Sequence, residues 1–566
     1  MTERRLSGVG ATPLSGVGTA VWYAPDAELG SPPDPETIDA DVECERFETA
    51  RDAAREEIRA ERERTAARLG EAEAEVFDAH VQFLDDPQIT EGVEAAIDDG
   101  LPAEHAVDRT FEQFIEQFEG MEGRMAERAD DLRDVRDRLV RALGGGERAD
   151  LGSLPEGSVV LAERLTPSDT AQLDPERVAG FATVTGGRTS HAAIFARSLA
   201  LPAIVGVGTA LRNVADGADV VVDGRDGTLL VDPDEETRGE TAGEEAVEVR
   251  DGTVETADGA PIEVAANVGT EADLASAVER GADGIGLFRT EFLFLDRESP
   301  PGEDEQYETY REALETFPDG RVVVRTLDIG GDKPVAYLDL PDEENPFLGE
   351  RGIRRSLGPD ADLFETQLRA LLRAAGEEAG GELSVMLPLV ATVDEVRQAR
   401  ETVESVAADL ESEGVSGALP EFGVMIETPA TAFLADALVE HVDFFSIGTN
   451  DLVQYVMAAE RGNDRVAALG DYRQPAVLRA IHTTVAAAQG TDVWVGMCGE
   501  MAGDPDVTEL LVGLGLDELS MSAVAVPQVK RAVSETTVAD ARELAARALA
   551  ASTKREVDCL LTETTR

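Results

Sequence analysis

FGVMIETPATAFLADALVEHVDFFSIGTND (422–451) holds two apolar runs, FGVMIE and DFFSIG, with helical text between them; the first ends in Glu427 and the second runs on to Asn450-Asp451. Short apolar runs alternating with helical segments read as parallel strands joined by crossover helices. The same pattern continues in both directions, with IEVAANV (262–268), GIGLF (284–288), VVVRTLD (322–328) and SVMLPL (384–389) before it and VWVGM (493–497) and ELSM (518–521) after it. Eight such strands over about 300 residues predict a C-terminal (β/α)8 TIM barrel.

Upstream the text changes twice. Residues 1 to about 22 are glycine-rich with short apolar stretches, too few to form a domain alone, and from about 36 to 143 the chain reads as amphipathic helices punctuated by Asp86-Pro87, Gly100 and Gly120. After GGGERADLG (144–152), the runs SVVLAE, GFATVT, AIVGVG and DVVVDG read as strands around one helix that starts near Ser190. This predicts a small α/β domain interrupted by a helical insertion. The acidic, weakly apolar stretch 233–258 reads as a linker.

Lys+Arg total 50 against 115 Asp+Glu, a formal charge of −65, and Lys occurs only at 333, 530 and 554. An excess of that size repels nucleic acid and anionic lipid. Spread along the chain and poor in lysine, it reads as an acidic skin adapted to high salt, where screening weakens self-repulsion. The cysteines, Cys44, Cys498 and Cys559, are odd in number and show no CxxC spacing, which fits a reducing cytoplasm. No stretch has the apolar length of a signal peptide or a membrane span, so a cytoplasmic protein is expected.

Barrel enzymes place their chemistry where the strands end at the C-terminal face. There this sequence sets Arg289, Arg325 followed by Asp328, Glu427, Asn450-Asp451 and Cys498. Guanidinium forks bind phosphate or carboxylate in bidentate fashion, and carboxylate oxygens hold Mg2+ that bridges to substrate oxygens. Any one acid is most simply a helix cap or a surface charge; together at strand ends they form a phosphate-plus-metal arrangement. A second constellation is GGRTSHAAIFAR (186–197), in which His191 follows the cap residue Ser190 at a helix start. Free N–H groups and positive potential there favour a neutral imidazole nucleophile and a phosphoryl group attached to it.

GGRTSHAAIFARSLALPAIVG, TPSDTAQL (166–173), GIGLFRTEFLF, RTLDIGGDK, ENPFLGERGIR, FSIGTNDLVQYVMAAERGN and VGMCGEMAGD resemble Enzyme I of the phosphoenolpyruvate-dependent sugar phosphotransferase system, and the resemblance covers essentially the whole chain. It implies an α/β multidomain protein: a swivelling phosphohistidine domain (1–22 plus 148–232), a helical carrier-binding insertion (23–147), the linker 233–258 and a phosphoenolpyruvate-binding TIM barrel (259–566). It implies that His191 takes the phosphoryl group of phosphoenolpyruvate, releasing pyruvate, and passes it to a histidine of the phosphocarrier protein HPr. Arg289, Arg325 and Arg351 would grip phosphate and carboxylate, Glu427 and Asp451 would bind Mg2+, Asn450 and Arg461 would complete the phosphate cradle beside Asp451, and Cys498 would protonate the enolate. Thr170, Arg188 and Ser190 would support His191, the helix with His80 and Leu84 would contact HPr, and the barrel would form a homodimer. To reach both barrel and carrier, His191 must travel, and 233–258 is where the sequence permits a hinge.

Two other readings fit less well. A phosphoenolpyruvate synthase or dikinase would add an ATP-grasp domain, yet the residues before the His191 domain read as helices and no glycine-rich nucleotide loop occurs. A non-catalytic phosphoenolpyruvate-sensing scaffold would not need His191, both metal acids and Cys498 together.

Overall fold

A computed structural model describes residues 4–564 apart from 13, 24–28, 30–31, 70, 120–123, 145–150, 176, 188–189, 200, 226, 235–236, 239–248, 296, 298, 332–334, 336, 342, 377–380, 461–462, 464–465 and 467–468. The chain divides into two compact units, 1–246 and 247–566.

In the N-terminal unit the strands β1 (Arg4–Ser7), β2 (Val9–Gly10), β3 (Ser15–Tyr23), β4 (Ser158–Ala162), β5 (Val178–Thr183), β6 (Ala203–Val205), β7 (Asp219–Asp223) and β8 (Thr228–Val231) form one sheet in the order β1-β8-β7-β3-β4-β5-β6-β2. β3, β4, β5 and β6 run parallel. Parallel neighbours need a crossover, and between β3 and β4 that crossover carries a helical bundle: α1 (Ala40–Leu69), α2 (Glu71–Leu84), α3 (Pro87–Asp98), α4 (Ala103–Glu119) and α5 (Arg124–Gly144). Asp86-Pro87, which reads as punctuation between helical segments, separates α2 from α3 and starts the latter. The Asp86 carboxylate accepts from the Gln88 N–H at 2.7 Å, and Pro87 sits at the first turn where its missing N–H matters least.

Apolar side chains such as Phe47, Ile58, Phe77, Val93, Phe111, Leu132 and Leu139 form the bundle core. Phe77, His80 and Leu84 lie on one helical face, three and four residues apart, and point into it. His80 and Leu84 are therefore buried, at 0% and 2% exposure, so the side chains that α2 offers to a partner come from its other face, which carries the exposed Asp78 and Gln82. Arg138, fully buried, ties bundle to sheet domain: its Nη2 donates to Glu61 and to the Ser168 hydroxyl, each at 2.6 Å. Ser168 belongs to the short helix α6 (Pro167–Thr170), which packs beside α7 (His191–Ser198).

The C-terminal unit opens with β9 (Val254–Glu255), a short antiparallel partner of β10 (Pro261–Val268). The end of the stretch read as linker is thus tied to the barrel; 239–248 lies outside the described residues. β11 (Ile285–Arg289), β12 (Arg321–Arg325), β13 (Glu382–Leu387), β14 (Glu421–Ile426), β15 (Phe444–Ile447), β16 (Trp494–Met497) and β17 (Glu518–Met521) follow, every neighbouring pair parallel. β10 pairs with both β11 and β17, so the sheet closes into an eight-stranded barrel.

Alternation along the strands divides the side chains. Leu287, Val323, Met386, Met425, Phe444 and Cys498 fill the interior, while Val322, Val324 and Val385 face outward against helices. Gly423 leaves room for the Phe444 ring, which would lie 2.5 Å from a Cβ at that position. The N-terminal end is stoppered: Arg321 stacks 4.0 Å over Trp494, which stacks at 4.6 Å on Phe444, while Glu263 accepts from Arg321 at 2.7 Å and Glu421 from the Trp494 indole at 3.2 Å.

Candidate active site

At the opposite end of the barrel the strand termini bring charges together. Arg289 and Arg325 end adjacent strands in register. Arg325, 7% exposed, donates to Glu291 at 2.5 Å and pairs with Asp328 at 3.1 Å. Asp328 in turn receives Nη2 of Arg351 on both oxygens at 3.2 Å, and the Arg351 guanidinium lies 5.1 Å from the centre of the Phe347 ring. The two arginines thus share one carboxylate, which fixes their forks without ligand. Burial works against its charge, but the neighbouring acids Glu291 and Asp328 outweigh it and hold Arg325 firmly cationic.

Glu427 follows β14 and is 2% exposed. Burial, then the charges of Asp451 and Asp328, push its carboxyl up to about 8, against the opposing pull of Arg325. It accepts the N–H of Leu389, a residue held at a φ of 53°, in the left-handed region that side chains rarely adopt. Strain of this kind persists where surrounding structure over-determines it. Asn450 and Asp451 sit in the first turn of the helix Thr449–Met457 that follows β15, and Asn450 accepts from the Glu500 N–H at 2.9 Å.

Cys498 follows β16, buried, with its sulfur 3.9 Å from the Ile447 carbonyl. Burial pushes its thiol up to about 11, so it carries its proton at neutral pH. The barrel mouth therefore assembles Arg325, Arg351, Glu427, Asp451 and Cys498, with Arg289 and Asn450 at adjoining strand ends. Arg461 lies outside the described residues.

Sequence reasoning passed over several residues here. Glu291 follows Arg289 by two positions, and Tyr455, within the field of Asp451, Arg351, Glu427 and Asp328, donates to the Phe347 carbonyl. The hydroxyls of Thr326 and Thr449 are buried there without a hydrogen-bond partner among the described residues. The Glu427–Asp451 pair suits a hard divalent cation: two mutually repelling carboxylates gain from a shared positive charge, and carboxylate oxygen is the donor such ions prefer. Among the described residues no third His, Cys, Asp or Glu joins them at one point.

In the N-terminal unit His191 is the first residue of α7. Ser190 caps this helix, accepting from the Ala193 N–H at 3.4 Å and donating to the Gly187 carbonyl at 2.8 Å. The ring is partly exposed, and its Nδ1 lies 3.6 Å from Asp131 Oδ1 on α5. Thr170 is buried at the end of α6, its hydroxyl donating to the Thr166 carbonyl at 2.9 Å. Arg188 lies outside the described residues.

Three family models match the chain: PEP-utilising enzyme, N-terminal, over 7–128; PEP-utilising enzyme, mobile domain, over 154–227; and PEP-utilising enzyme, PEP-binding domain, over 243–538. Similar curated proteins share one description, phosphoenolpyruvate-protein phosphotransferase. That of Haloferax volcanii is 75% identical over 562 residues, covering 99% of this chain and 100% of the relative. That of Staphylococcus carnosus is 43% identical over 579 residues, covering 100% and 99%. That of Priestia megaterium is 45% identical over 515 residues, covering 89% of each.

Proposed function

Because this chain belongs to the family of phosphoenolpyruvate-protein phosphotransferases, enzymes that take the phosphoryl group of phosphoenolpyruvate, we propose that His191 is its acceptor and the barrel mouth its substrate site. The observation that carries this reading is the chain Arg325–Asp328–Arg351 lying within the field of Glu427, Asp451 and Cys498 at the C-terminal strand ends.

Arg289, Arg325 and Arg351 grip the phosphate and carboxylate, with Asn450, Asp451 and Arg461 completing the cradle. Glu427 and Asp451 would hold Mg2+, which supplies charge neutralisation at substrate oxygens. As the P–O bond breaks, its electron pair passes to the enolate; the protonated Cys498 thiol delivers a proton to carbon, giving pyruvate. In-line positioning of the phosphoryl group is the protein's main contribution, because such transfers ask for little covalent chemistry.

The same reading gives the rest of the cycle. His191, supported by Thr170, Arg188 and Ser190, passes the phosphoryl group to a histidine of HPr docked on the insertion 23–147. The sheet domain (1–22 plus 148–232) swivels about 233–258, and 259–566 is the phosphoenolpyruvate-binding domain. Among the described residues no helix is long and apolar enough to cross a membrane. We place the enzyme in the cytoplasm as a homodimer through the barrel, a state supported by exposed apolar side chains there such as Phe433, 75% exposed.

The test is incubation with labelled phosphoenolpyruvate and Mg2+ without ATP. Acid-labile, base-stable label should appear on the wild type and vanish in His191→Ala while phosphoenolpyruvate binding survives; label persisting on that variant would refute the acceptor.

A further inference from the structure

Asp131 stands between two histidines. Its Oδ1 lies 3.6 Å from Nδ1 of His191 and 3.5 Å from Nε2 of His80. His80 is fully buried, edge-on to Phe77 at 5.5 Å, and its Nδ1 lies 3.9 Å from Oδ2 of Asp134. Asp134 is itself 3.6 Å from Arg138. The line His191, Asp131, His80, Asp134, Arg138 thus runs from the partly exposed imidazole into the bundle core.

Neither ring nitrogen of His80 nor Oδ1 of Asp131 has a hydrogen-bond partner among the described residues. Burying such groups is expensive unless they are paired, and an apolar residue at 131 or 80 would pack the core at less expense. Fold alone does not account for them. At 3.6 Å the Asp131–His191 contact is an ion-pair distance just beyond hydrogen-bond reach, and a small side-chain rotation closes it.

We propose that Asp131 is the positioning residue of His191, with His80 holding the Asp131 carboxylate in place. This rests on His191 being the acceptor. The carboxylate keeps the proton on Nδ1 and so leaves the lone pair of Nε2 for phosphorus, in the way a carboxylate behind a histidine selects its tautomer elsewhere. When Nε2 attacks, the N–P bond forms as the donor P–O bond breaks and the ring keeps its Nδ1 proton; once the phosphorylated ring lies on the bundle, Asp131 balances the positive charge gained. On transfer to the carrier the N–P bond breaks, its electron pair returns to Nε2, and a neutral imidazole leaves. Asp131 belongs to the bundle and meets His191 while His191 lies on it. It therefore acts on the transfer to the carrier more than on the transfer from phosphoenolpyruvate.

The experiment uses the full chain. In wild type, 15N-ring-labelled histidine spectra should show His191 as the Nδ1–H tautomer; the Nε2–H form would overturn the proposal. In rapid-quench measurements Asp131→Asn should slow movement of label from His191 to HPr by about tenfold or more, with arrival from phosphoenolpyruvate much less affected. Asp131→Glu should restore part of the rate, and His80→Gln should show a milder form of the same defect. Unchanged transfer and an unchanged tautomer in a folded Asp131→Asn chain would overturn the assignment. If that variant does not fold, the wild-type spectrum and the His80→Gln kinetics decide. Failure of the acceptor reading is separate, since wild-type label would then map to a residue other than His191.

Discussion

Replacing Glu427 by glutamine should make the barrel more stable while removing activity. The Glu427 carboxyl is fully desolvated, and it titrates near about 8 in the folded chain against the ordinary 4.5. Below pH 4.5 folded and unfolded chains both hold the proton, and the group contributes no penalty. Between 4.5 and about 8 the unfolded chain gives the proton up while the folded chain keeps it, so stability falls as pH rises; above about 8 the whole penalty stands. At 1.36 kcal/mol per pH unit this amounts to about 3 kcal/mol at pH 7 and about 5 kcal/mol above pH 8. Glutamine is neutral throughout and escapes it. The assay is urea unfolding at pH 5, 7 and 8.5, followed by fluorescence of Trp494 in a Trp22→Phe background so that the barrel alone is read. Glu427→Gln should unfold later than the parent by a margin that grows with pH, and adding Mg2+ should narrow the margin by stabilising only the parent. A margin equal at pH 5 and pH 8.5, or no margin at all, would refute the electrostatic account of this site.

If Cys498 is the proton donor proposed above, Cys498→Ala should lower kcat for pyruvate formation far more than it raises KM, since the proton is needed after the phosphoryl group has departed; equal effects on both constants would mark a packing residue instead. The −65 charge predicts that the melting temperature in 2 M KCl exceeds that in 0.1 M KCl by about 10 °C or more, read by calorimetry, since salt screens repulsion between like charges. Equal melting temperatures would show that the acidic surface needs no molar salt.

The barrel was legible in the sequence because its strands are short apolar runs, several of them followed by a polar residue or a thiol, and those residues, Glu427, Asn450-Asp451 and Cys498 among them, are fixed by chain order alone. The α3 start at Pro87 was less legible, since proline breaks a helix in its interior and favours one at its first turn, and only the Asp86 cap separates the cases. The orientation of His80 could be read only once Phe77 and Leu84 were known to share its face. Asp131 beside His191 was illegible for a different reason: the two residues come from separate elements, and their proximity depends on how the bundle seats against the sheet. Glu291 and Asp328 stood in view next to arginines, but nothing in a linear pattern distinguishes a carboxylate that fixes a guanidinium from one that faces water.

With its floor stoppered by Arg321, Trp494 and Phe444 and its interior filled by side chains, the barrel is open to a small molecule at one face alone, where the strands end. A molecule that enters among the strand ends must leave by the way it came. With the substrate site placed there as proposed, spent pyruvate would obstruct the next phosphoenolpyruvate for as long as it lingers, and the residence time of the product would become part of the length of every cycle.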